Sequence, residues 1–111
     1  MTTQTKQLSF RATVLRDGGE WIAHCLDLDI VSTGSTPEAA TDELAEAVGT
    51  QLWYAREHDN FEHLFRPAPA EAWLKLGEIL AGPHKTLVRP IDDSDRGTDR
   101  DVVSLEAQLA A

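Results

Sequence analysis

The chain has 111 residues, the size of one domain, with 41% hydrophobic and 26% charged residues, a composition that folds around a core and excludes an intrinsically disordered chain. Nineteen acidic residues against ten basic ones leave a formal net charge of −9, which argues against phosphate backbones as partners and for a cationic one. A single cysteine, Cys25, allows no internal disulfide framework, and no stretch has the apolar length of a membrane span, so a soluble cytoplasmic protein is expected.

From Leu8 to Leu15 apolar and polar residues alternate, with Leu8, Phe10, Ala12 and Val14 on one face, which predicts a half-buried strand. Gly18-Gly19 supplies turn chemistry before a second strand from Trp21 to Leu26, so the two form a hairpin. Asp27-Leu28-Asp29 breaks the pattern, and Ile30 to Thr33 reads as a short third strand ending at Gly34. Ser35-Thr36-Pro37-Glu38 is a helix start, with Thr36 as cap, Pro37 in the first helical position and Glu38 in the first turn. Ala40, Leu44, Ala47, Val48, Gln51, Leu52 and Ala55 then recur at spacings of three and four. The spacing predicts a long amphipathic helix from Pro37 to His58 whose opposite face carries Asp42, Glu43 and Glu46.

A second helix is expected from Ala70 to Ala81, with Trp73, Leu76, Gly77 and Leu80 in one stripe and Gly82-Pro83 as its stop. Lys85 to Val88 fits an edge strand closed by Pro90. Residues 92–101 hold five aspartates and two arginines, and Val102 to Leu109 has the composition of a short terminal helix. The expected architecture is therefore α+β. A three- to four-stranded antiparallel sheet is packed by one long helix, in the order βββα, then a second helix and an edge strand. Residues 1–91 form one domain, followed by an acidic tail over 92–111.

Few constellations carry chemistry. Asp17, Glu20, Asp27 and Asp29 cluster around the hairpin and have the oxygen ligands of a divalent-cation site, but aspartates beside turns serve local hydrogen bonding far more often. His58, Glu62 and His63 have the residue types of a zinc site without its spacing. The lone His24 on the second strand reads as a packed or edge histidine more readily than as a base, and Cys25 lacks a neighbouring fixed cation by sequence that would lower its pKa. No glycine pattern suits a phosphate loop. Neither catalytic residues nor a cofactor or metal are expected.

The order of hairpin, Gly-Glu-Trp-Ile-Ala-His-Cys-Leu-Asp-Leu, short strand, Thr-Gly-Ser-Thr-Pro-Glu-Ala and acidic helix resembles the HicB-like antitoxin domain. Trp21, Ala23, Asp27, Leu28, Gly34, Thr36, Glu38 and Ala39 occupy the positions of that family's pattern, over about residues 8 to 55. The resemblance implies a partial RNase H-like fold, usually without nuclease activity, and an oligomer that binds and masks a small basic ribonuclease toxin, HicA. Many members of the family add a DNA-binding domain after this unit. Residues 67–111 show no such block, so a stand-alone member is expected.

The leading expectation is a non-enzymatic, oligomeric binding module that docks a small basic partner on Asp42, Glu43, Glu46, Trp53 and Tyr54, with no direct contact to nucleic acid or membrane. Two alternatives stand beside it. One is an oligomeric domain with no toxin partner, and the other a small metal-dependent hydrolase using the hairpin carboxylates or the His58 and His63 cluster.

Overall fold

The computed structural model describes residues 7–91 and 102–111. Strand β1 (Gln7–Asp17) turns through Gly18-Gly19 into β2 (Glu20–Cys25), and Gly18 takes φ +64°, the left-handed conformation such a two-residue hairpin loop demands. The exit from β2 is fixed by Asp27. Its Oδ2 accepts the Arg11 backbone N–H at 2.7 Å, while the Leu26 N–H donates to the Arg11 carbonyl at 2.8 Å. The carboxylate thus stands in for a strand residue where the chain leaves the ladder.

Strand β3 (Ile30–Gly34) pairs antiparallel with β2 and leads into helix α1 (Pro37–Glu57). Thr36 caps the helix by accepting the Ala39 N–H at 3.0 Å, and Pro37 follows in the first turn. A Cβ on Gly34 would sit 2.5 Å from the Ala40 nitrogen, so the close approach of β3 to the first turn of α1 requires glycine. Helix α2 (Ala70–Ala81), strand β4 (His84–Pro90) and strand β5 (Val102–Ala110) complete the chain, with one 3₁₀ turn at Phe61–His63.

The sheet is five-stranded and mixed, in the order β3-β2-β1-β5-β4. The α+β class matches the sequence reading, but two of its details do not. The sheet is not a three- to four-stranded antiparallel one, because β1 and β5 pair in parallel. The segment expected to be a short terminal helix in a tail is β5, set between β1 and β4. Val103, Leu105, Ala107 and Leu109 alternate with Ser104, Glu106 and Gln108, which is the period of a strand. The helix-favouring composition of Glu-Ala-Gln-Leu-Ala is overridden by burial of Leu105 and Ala107 against α1. The aspartate-rich part of the expected tail, residues 92–101, lies outside the described residues.

Alternation along the strands sorts the two faces. Phe10, Ala12, Val14, Ala23, Cys25, Leu105 and Ala107 are buried with Ala40, Leu44, Val48 and Leu52 of α1. Small residues at Ala12, Ala23 and Ala107 let the helix lie close to the middle of the sheet. On the other face α2 is tied down through Trp73, whose indole lies 4.8 Å from the Arg11 guanidinium and donates to the Ala68 carbonyl. Arg11 is held in turn by Asp27, with Nη2 to Oδ1 at 3.2 Å. Leu26, Ala68 and Leu76 form the small apolar cluster beneath that helix.

Leu105 is fully buried at the centre of the α1 face. Leu105→Ala is expected to cost about 3 kcal/mol, measured as a lower urea midpoint with an unchanged slope. A loss below about 0.5 kcal/mol, the value of an exposed position, would contradict a central β5.

Candidate partner-binding cleft

Asp42, Glu46, Thr50 and Trp53 recur along α1 at helical spacing and so form one stripe on its outer side, bordered by the buried Ala45. Arg89 and Pro90, at the end of β4, face this stripe, and the two walls enclose an open cleft of about 570 Å³. Arg89 stands opposite Leu105 in the β4–β5 register, on the side of the sheet that α1 covers. Its Nε donates to Asp42 Oδ1 at 2.6 Å and its Nη1 to the Val88 carbonyl at 3.0 Å. Glu46 lies one turn further along the helix, and among the described residues no ion pair or hydrogen bond engages its carboxylate. Thr50 donates back to the Glu46 carbonyl, which turns its hydroxyl toward the helix.

Of the five residues singled out from sequence, the cleft brings together Asp42, Glu46 and Trp53. Glu43 is exposed beside it, and Tyr54 lies outside it, stacked on His58 with ring centroids 4.0 Å apart. Trp53 and Tyr54 are 41% and 50% exposed, so neither belongs to the core. Arg89 and Pro90 carried no signal in the sequence, since Arg89 meets Asp42 across 47 positions and only the placement of β4 beside α1 joins them.

The other candidate groups are dispersed. Asp17 and Glu20 face each other across the hairpin turn. Asp27 is engaged by Arg11, and Asp29, at φ +55°, holds His24 Nε2 at 2.6 Å through Oδ1. His58 Nδ1 lies 2.9 Å from the Tyr54 carbonyl and closes the end of α1. Among the described residues no three His, Cys, Asp or Glu side chains form a metal-binding group. No helix among them is long and apolar enough to cross a membrane.

Cys25 is fully buried. Burial pushes its thiol up to about 11, the Leu28 backbone N–H works against the rise, and the nearby Asp27 charge adds to it.

Comparison with protein-family models, with curated proteins and with solved structures found no match.

With a pKa raised above its unfolded value of about 8.5, the Cys25 thiol contributes stability that is complete below that value and is lost as pH rises through about 11. A urea titration from pH 8 to 11 should therefore show a loss in the wild type that is smaller in Cys25→Ala. At pH 8 the native thiol should resist a thiol-reactive disulfide until the chain unfolds. Rapid labelling of the native protein, or identical pH profiles, would contradict this burial.

Proposed function

We propose that this chain is a non-enzymatic binding module of the HicB-like type, which masks a small basic ribonuclease similar to HicA through the acidic outer side of α1. The observation that carries the reading is the cleft, where Asp42 and Glu46 sit beside an exposed Trp53 on the most acidic element of a chain with net charge −9. Opposite charges on two partners raise the rate of encounter and fix their orientation, and an exposed indole supplies the apolar contact that holds them. The run from β1 through β3 into α1 supports the family resemblance, since an antiparallel meander followed by a long packed helix is the unit that the resemblance implies.

Self-association is part of the same reading. β3 forms one edge of the sheet and carries Ile30-Val31-Ser32-Thr33-Gly34, with neither charge nor proline, and Val31 is exposed. The opposite edge, β4, carries Lys85, Arg89 and Pro90, which discourage strand addition. A second copy of the chain therefore pairs at β3.

The test is capture from the native lysate with intact-mass identification, run in parallel on the wild type and on Glu43→Lys/Glu46→Lys. The wild type should retain, in stoichiometric amount, a small basic protein whose ribonuclease activity disappears in the complex. The double variant should bind it roughly tenfold more weakly, with a shallower dependence on salt. Light scattering on the purified chain should read more than one 12.2 kDa subunit. Recovery of the chain without a partner, or equal affinity for the double variant, would overturn the docking surface, and a monomer would overturn the pairing at β3.

A further inference from the structure

We infer that the part of the cleft between Glu46 and Trp53 is a guanidinium subsite, filled by one arginine side chain of the basic partner. This rests on the reading of α1 as the docking surface and assigns the chemistry that the surface recognises.

The cleft already holds one guanidinium. Arg89, with 29% of its side chain exposed, places Nε 2.6 Å from Asp42 Oδ1, so the end of the cleft nearest β4 is neutralised within the chain. Among the described residues its charged lining consists of Asp42, Glu46 and Arg89, two negative groups and one positive, and the uncompensated charge among them is that of Glu46. A single added cation balances it. The volume of about 570 Å³ leaves room for a side chain beside Arg89.

Arginine fits this space better than lysine for geometric reasons. Trp53 lies seven residues, about two helical turns, beyond Glu46 on the same side of α1, and both line the cleft with Thr50 between them. The gap is floored by the small side chains of Ala45 and Thr50. A planar guanidinium can donate two parallel hydrogen bonds to the Glu46 carboxylate while its face or its aliphatic stem lies on the indole. An ammonium makes the ion pair but forfeits the planar stack. An anionic group would face two carboxylates. A metal ion would find one free carboxylate, because Asp42 is occupied by Arg89.

The experiment titrates the full-length ¹⁵N-labelled chain with N-acetyl-arginine methylamide, with the lysine and citrulline analogues as controls. Citrulline keeps the shape of arginine and lacks its charge. The expected result is saturable shifts confined to residues 42–53 and 89–90, including the Trp53 indole N–H, with weaker binding of the lysine compound and none of citrulline. Glu46→Gln should weaken the arginine response about fivefold or more, and Glu20→Gln, at the exposed hairpin turn, should leave it unchanged. No saturable shift, an equal response to citrulline, or shifts spread evenly over the exposed carboxylates would overturn the subsite. Arginine binding in the cleft with no basic protein captured from the lysate refutes the partner and leaves the subsite standing. Capture that depends on Glu43 and Glu46, with no arginine response, refutes the subsite alone.

Discussion

The parallel ladder between β1 and β5 runs from Gln7–Val102 to Val14–Leu109 and joins the first strand of the chain to the last. Without it β4 has no partner strand among the described residues, where it pairs with β5 alone. The core depends on the same ladder. Phe10, Ala12 and Val14 lie beside Leu105, Ala107 and Leu109, and the first five of these six are buried beneath α1. Loss of β5 would remove Leu105 and Ala107 from the core beneath α1 and free the strand that carries Arg89.

The cleft is a consequence of this arrangement. α1 presents Asp42, Glu46 and Trp53 by its own periodicity, but the facing wall comes from β4 and reaches α1 only because β5 sets the width of the sheet. The Arg89–Asp42 pair is exposed on the Asp42 side and contributes little to stability. Its consequence is local: it removes one of two carboxylate charges and leaves the other facing an exposed aromatic ring. On the opposite side of the sheet, Asp27 closes β2 against Arg11, and Arg11 in turn meets Trp73 of α2. One carboxylate thus ends a strand and orients the cation on which the second helix rests.

Elements governed by local chemistry were legible in the sequence. The glycine turn, the Thr36 cap with Pro37, the end of β3 at Gly34 and the Ala70–Ala81 helix each follow from a few adjacent residues. The final strand was not legible in the same way. Val103 to Leu109 fits a period of two as well as a helix-forming composition, and only the neighbours on either side, 95 positions away in β1 and about 20 in β4, decide between them. The site divides along the same line. The helix side chains of the cleft follow from the periodicity of α1, including the exclusion of Asp42 and Glu46 from its buried face. Arg89 depends on sheet order, which local pattern does not encode. Tyr54 shows the remaining ambiguity: next to Trp53 in sequence, it is turned by about 100° around the helix and stacks on His58 instead.

The most direct test of this account is a set of nuclear Overhauser contacts on labelled protein in solution, aimed at whether the last strand completes the sheet and the cleft. Cross-strand contacts should link Ala107 to Ala12 on one side, in parallel register, and to Leu87 on the other, with further contacts between the Arg89 side chain and Asp42. Helical contacts across residues 102–109, with no link to β1, would contradict it.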